Sequence, residues 1–293
     1  MMNFPAQIVA WLSVPLNAAG KLLTVFVAAV PGWLSNTVIS AVMGVLLLIL
    51  WKYTSNQDAI GRVKDDIKAN LLAMKLFKDS ISVTLQAQGR AFRGAGGLLF
   101  YAIRPMLVMI VPVCLILGQM SLWYQSRPLK PGEEALVTMK LSGDIDSAWP
   151  SVGIASMTGA DVTIDQTRVF SERQIFWKIK AHKEGYHEIV FEVDDRQVEK
   201  QLAIGNGFMR ISPQRPGWHW ADILLNPTEK PFGPDSVVQS ISIEYPRRIS
   251  RIAQRLGRFI GAEWLVKWWW MVYFFIASMV FGFIFKPFLN VKI

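Results

Sequence analysis

The sequence predicts an α-helical integral membrane protein with an all-β domain inserted between its second and third spans. Three observations carry that expectation. Apolar stretches about as long as a bilayer is thick recur at residues 33–52, 94–124 and 264–286. A basic, helix-patterned arm lies between the first two. Residues 125–246 then switch to a period-two pattern with the opposite charge balance: from Tyr124 to Pro246 there are thirteen Lys/Arg against seventeen Asp/Glu. The 293-residue chain is 52% hydrophobic, too apolar for an ordinary soluble domain. Its 12 Trp fit a protein with membrane interfaces. The formal net charge of +9 sits close to the apolar spans, which points to anionic lipid and positive-inside topology, with no specific nucleic acid partner. Cys114 is the single cysteine, so no disulfide can form within one chain.

Residues 1–32 are apolar but broken by Pro5, Pro15, Lys21 and Pro31. They read as a helix lying in the interface or re-entering it, anchored by Trp11, with a further span as the alternative. No basic segment precedes them, so no cleavable signal peptide is expected. Trp33 and Trp51 then bracket Leu34 to Leu50, about 26 Å as a helix, with an aromatic at each interface. The polar Ser35, Asn36, Thr37 and Ser40 all fall in its first half, and Lys52 closes it.

In the arm, residues 53–93, Ile60, Ile67, Met74 and Ile81 recur every seventh residue, with Val63, Leu71, Phe77 and Leu85 beside them. This is an amphipathic helix, or two helices folded into a short antiparallel coiled coil. Its charge is net basic, and by the positive-inside rule it faces the cytoplasm. Gly94, Gly96 and Gly97 read as flexibility where the arm enters the second span. From Arg104 to Trp123 that span is about 30 Å long. Pro105 and Pro112 would break a helix in water, but neighbouring helices in a membrane can satisfy the freed carbonyls.

Past a linker at 125–135, strands are expected over Ala135 to Leu141, Gln174 to Ala181, Glu188 to Val193, Gln197 to Ile204 and Val237 to Tyr245, with weaker ones over Asp161 to Phe170 and Gly207 to Ile211. About seven short strands suggest an antiparallel, immunoglobulin-like sandwich, interrupted by a Pro-rich loop at 213–236. Residues 247–263 form a basic amphipathic helix, with Ile249, Ile252, Leu256 and Phe259 or Ile260 on one side and Arg251, Arg255 and Arg258 on the other. With Arg247, Arg248, Trp268 and Trp269 it is a lipid anchor at the headgroups. The third span, 264–286, leads to a tail carrying Lys292. Three spans put the arm and tail on one side and the β-domain on the other. The Arg-rich helix beside the third span opposes this orientation, but the arm comes first and decides it.

The chain has no zinc-ligand spacing, phosphate-binding loop or nucleophile elbow, so neither an enzyme nor a cofactor is expected. His182 and His187 flank a turn and read as solvated. The residue that stands apart is Arg104, a charge at the edge of an apolar run. It is either a snorkelling anchor or the positive charge of a half-open groove for an entering peptide. Asn36, Thr37, Ser40 and Gln119 would line such a groove. Met43, Met106 and Met109 would give it an adaptable apolar wall.

The order of span, basic arm, span, outer domain, span and tail resembles the minimal core of the YidC/Oxa membrane insertase superfamily. It is most similar to the short branch with the archaeal YidC-like proteins and the third subunit of the ER membrane protein complex. The resemblance rests on Lys52-Tyr53-Thr54-Ser55-Asn56-Gln57, on Ile67-Lys68-Ala69 through Met74-Lys75-Leu76-Phe77-Lys78-Asp79, and on Arg104-Pro105-Met106 and Val111-Pro112-Val113. It covers residues 33–124, with the third span matched by position. The superfamily carries its groove charge on the first span, which here is uncharged up to Lys52, so Arg104 on the second span takes that part. The resemblance implies an inner-membrane insertase or chaperone for short hydrophobic segments. It also implies that Arg62, Lys64, Lys68, Lys75 and Lys78 contact the ribosome or the nascent membrane protein. The β-domain lies outside the superfamily's minimal core. The alternative from another class is a scaffolding subunit of a larger membrane complex, using its sandwich to hold outer partners.

Overall fold

The computed structural model describes residues 6–12, 17, 18, 20, 27, 30–77, 79–144, 147–194 and 196–291. Residues 6–12 are helical, and most of the interfacial segment expected over 1–32 lies outside the described residues. Two compact units are present. One comprises Met1–Ser35 and Cys114–Val272, the other Asn36–Val113 and Tyr273–Ile293.

The helices follow from composition and capping. Helix α1 is Gly32–Thr54, helix α2 is Gln57–Leu76 and helix α3 is Ile81–Tyr124. Helix α2 starts at an N-cap, where Asn56 Oδ1 accepts from the Ala59 amide at 3.0 Å. Helix α3 has 44 residues, about 66 Å at 1.5 Å per residue, far more than a bilayer core. It therefore holds both the second half of the arm and the second span, and it runs through Pro105 and Pro112. The arm is the antiparallel pair of the two expected alternatives: α2 folds back on the start of α3, with Ile67 and Val63 opposite Gly94 and Gly97. A Cβ on Gly94 would come within 2.7 Å of Ile67 Cγ1. These glycines were expected as a flexible entry to the span. They are helical, and Gly94 admits the neighbouring helix.

Strands β1 (Glu134–Leu141), β2 (Val152–Met157), β3 (Ala160–Val169), β4 (Gln174–Ala181), β5 (Gly185–Val193), β6 (Arg196–Ile204), β7 (Gln214–Arg215) and β8 (Val238–Ile243) build two antiparallel sheets. Their orders are β3-β4-β1-β8-β7 and β2-β5-β6. Alternation decides which face turns inward: Val137, Met139, Ile175, Trp177 and Ile179 from the larger sheet share one core with Ile189, Phe191 and Leu202 from the smaller. Trp177 and Phe191 meet across it with ring centroids 5.1 Å apart.

Two strand expectations change. Strand β2 was unforeseen because only Val152 of its six residues is buried, leaving little alternation to read. Gly207 to Ile211 is not a strand: the Ile211 amide instead donates to the carbonyl of Leu122, in the last turn of α3, at 3.0 Å. The Pro-rich loop carries β7 and the short helix α4 (Trp220–Leu225). It is pinned by a buried ion pair, Lys200 Nζ to Glu229 Oε1 at 2.6 Å, and Lys200 also donates to the Ser212 carbonyl at 2.6 Å.

Beyond the sandwich, helix α5 is Arg251–Ile260 and helix α6 is Glu263–Leu289. Gly261, in the left-handed region at φ 67°, ends α5. In the second unit α1 and α6 run parallel. Thr37 and Tyr273 hydroxyls are 2.6 Å apart, and Lys52 Nζ donates to the Leu289 carbonyl at 2.9 Å. Between these points the helices nearly touch, since a Cβ on Gly44 would lie 2.2 Å from the Ser278 carbonyl oxygen. Gly44 on α1 faces Ser278 and Gly282 on α6, a small-residue seam of the kind that joins helices in lipid. Helices α1, α3 and α6 are each long and apolar enough to cross a membrane.

Candidate functional site

The groove residues expected from sequence divide into three kinds of environment. Arg104, Met106 and Met109 lie on the same stretch of α3, where Arg104 is exposed and Met106 is 51% exposed. The neighbouring Leu107, Ile110 and Val111 are each more than half exposed. Asn36, Ser40 and Met43 are buried on α1. The Ser40 hydroxyl donates back to the Asn36 carbonyl at 2.7 Å, and Thr37 is engaged by Tyr273. These polar groups serve α1 itself and its seam with α6. Gln119 sits elsewhere, near the end of α3 in the sandwich-bearing unit. Its Oε1 accepts from Arg210 Nη2 at 2.8 Å, and its amide nitrogen donates to Asn17 Oδ1 at 3.2 Å. A buried amide held on both sides does not line an open groove.

Of the arm cations on α2, Arg62, Lys68 and Lys75 are exposed and Lys64 is half-buried, with Lys68 beside Asp65 at 3.7 Å. Lys78 lies outside the described residues. The Lys64 ammonium is held below the usual lysine range by partial burial and by repulsion from Lys286 and Lys68. The base of the arm and the exit of α6 therefore gather positive charge at one end of this unit.

The anchor residues also separate. Arg251, Arg255 and Arg258 are exposed on α5, and so are Ile252, Phe259 and Ile260, with Phe259 at 87%. Only the small Ala253 and Gly257 are buried. The helix seats itself on its small residues and leaves both an apolar and a basic flank uncovered. Arg247 and Arg248 precede this helix. Arg247 forms a bridge with Ser126, and the Arg248 guanidinium lies over the Phe208 ring at 4.3 Å. Arg248 is held below the usual arginine range, first by burial. It is half-buried, set apart from the exposed arginines of α5. Trp268 and Trp269 are partly buried where α6 departs from helical geometry, at Trp268 φ −112°, and Lys267 lies 5.3 Å from the Trp268 ring.

The histidines each have a local partner: His182 Nδ1 is 3.3 Å from Asp161, and His187 Nε2 is 2.9 Å from the Lys183 carbonyl. No protein-family model matches the chain, and no curated protein matches it in sequence.

Proposed function

We propose that this protein is a membrane insertase or chaperone of the YidC/Oxa type, in which α3 forms one wall of a groove for an entering hydrophobic segment. The observation that carries this reading is the bareness of α3: only 6% of its most apolar stretch is buried within the chain, against 33% for α1. Among the described residues, no other helix of the chain packs over this wall, which leaves it open to an entering segment as well as to lipid, and Arg104 at its edge supplies a fixed charge for the polar flank of a substrate. In this reading the arm, with Arg62, Lys64, Lys68, Lys75 and Lys78, faces the cytoplasm and receives the ribosome or nascent chain. The sandwich, of immunoglobulin-like type, stands outside the inner membrane, and α5 lies on the headgroups through Ile252, Phe259 and its arginines.

The bareness of α3 also suits the second reading, a scaffolding subunit whose wall is covered by a constant neighbour. A photo-crosslinking amino acid at Met106, and another at Met109, separates the two. With ribosome-bound nascent chains, the insertase predicts crosslinks that depend on chain length and fall at least about tenfold in Arg104→Glu. A single neighbour crosslinked at both positions, whatever chain is supplied, would replace the insertase with the scaffold.

A further inference from the structure

The β-domain contains three buried cations that are treated differently: Arg173, 5% exposed, donates to the carbonyls of Asp144, Ser147 and Ala148. Lys200 is matched by the carboxylate of Glu229. Arg210 is 8% exposed, yet among the described residues it makes no ion pair. Its Nη2 donates only to neutral amides, Asn17 Oδ1 at 2.8 Å and Gln119 Oε1 at 2.8 Å, and its buried Nε has no acceptor. Burial of a full charge without a counter-charge is costly unless something supplies one.

Arg210 also lines a cleft of about 610 Å³ on the outer face of the smaller sheet. Thr228 lines the same cleft, and its hydroxyl is likewise buried without a partner. Tyr186 holds the arginine in place by accepting from its backbone amide at 3.1 Å, which leaves the phenol proton free to donate. Ser156, Thr158 and Gln201 add exposed polar groups, and the exposed Glu188 supplies an acceptor on the rim. Desolvation holds the Arg210 guanidinium below its usual range, a strain that an anion would relieve.

We infer that this cleft binds a phosphate ester carrying hydroxyl groups, with the phosphate on Arg210, Thr228 and Tyr186 and the hydroxyls on Glu188 and Gln201. A guanidinium edge with an adjacent hydroxyl suits phosphate oxygens, and a carboxylate beside the same site selects against a bare anion and for a polyol. Gln119 ties the site to the end of an apolar helix, so the ester is either an anionic lipid headgroup or a soluble polyol phosphate. The site stands independently of the insertase reading.

The test uses the full chain in phosphatidylcholine nanodiscs. Glycerol 3-phosphate is titrated calorimetrically, and in parallel phosphatidylglycerol retention is measured by native mass spectrometry. Saturable binding of either probe is expected. Phosphatidylglycerol alone identifies a lipid source, and glycerol 3-phosphate binding identifies a soluble one. Arg210→Gln should weaken binding about tenfold or more, as for a lost hydrogen bond to a charged group, and the isosteric Thr228→Val several-fold. Should Arg210→Gln fail to fold, Thr228→Val decides alone. No saturable binding of either probe overturns the assignment, and so does binding that the folded variants leave unchanged.

Discussion

The β-sandwich and the long helix α3 treat apolar surface in opposite ways. In the sandwich, Val137, Ile175, Phe191 and Leu202 have no exposed surface at all, because two sheets close over them. Along α3, Leu99 is 68% exposed, Phe100 72% and Leu107 62%. The first region is complete as a folding unit in water, where burial of apolar area drives it together. The second is long and apolar enough to cross a membrane, a phase in which backbone groups are satisfied within the helix and apolar side chains have no reason to cluster. Stability in the sandwich therefore rests on packing and on the one buried pair, Lys200 with Glu229, among the described residues. Among the helices it rests on a few close backbone approaches.

The largest expected effect breaks the sandwich alone. Lys200→Met leaves Glu229 buried beside an apolar chain and should cost about 3–5 kcal/mol, read as a lower midpoint in the near-ultraviolet signal of the sandwich aromatics. Lys200→Met with Glu229→Gln should recover most of it, since the isolated charge is gone. A midpoint unmoved by the single substitution would show that the pair is not what pins the Pro-rich loop. A middle-sized effect falls on the helices. Gly44→Leu drives a side chain into the Ser278 carbonyl and should cost about 1–3 kcal/mol in detergent. Gly282→Ala, whose Cβ would meet Gly44 at an ordinary 3.6 Å, should be much milder. Equal losses from both would argue against the α1–α6 seam.

The smallest effect is set by pH, at the neck of the sandwich. The Glu133 carboxyl is pulled down from 4.5 to about 2, first by hydrogen bonds from the Arg127 guanidinium, 2.8 Å away. A carboxyl with a depressed folded value contributes stability above its unfolded value and loses it as pH falls through the folded one. The contribution is complete above 4.5 and gone below about 2. Both side chains are about a third exposed, so solvent screening reduces it to roughly 1 kcal/mol. Glu133→Gln should flatten the acid limb of the unfolding curve over that window, and a limb that keeps its slope would assign the dependence to other groups.

Much of this comparison could be read in the sequence. The three apolar helices announce themselves by length. Alternation located β1, β4 and β8, and the runs Glu188 to Val193 and Gln197 to Ile204 located β5 and β6. What stayed hidden depends on long-range pairing. Strand β2 is mostly exposed and has no face to advertise. Gly94 looks like a hinge until Ile67 is known to lie across from it. Gln119 looks like a groove residue because its partner, Arg210, is 91 residues away. Arg248 belongs by spacing to a basic helix, and only Phe208, remote in sequence, turns it inward. The solitary charge of Arg104 was visible because it depends on its own neighbours alone.

The neck of the sandwich has one further consequence. The Arg127 amide donates to the Pro246 carbonyl at 2.9 Å, and the Arg248 amide to the Gln125 carbonyl at 3.1 Å. The chain thus enters and leaves the β-domain through the same short ladder. Joined ends make a cassette: a segment whose two termini already touch can be removed or exchanged with little change in the loop-closure entropy of the remainder. Splicing the chain just outside this ladder should yield a three-helix remnant with its own connectivity intact. The sandwich would come away as a portable module that keeps Lys200 and Arg210 but leaves Gln119 behind.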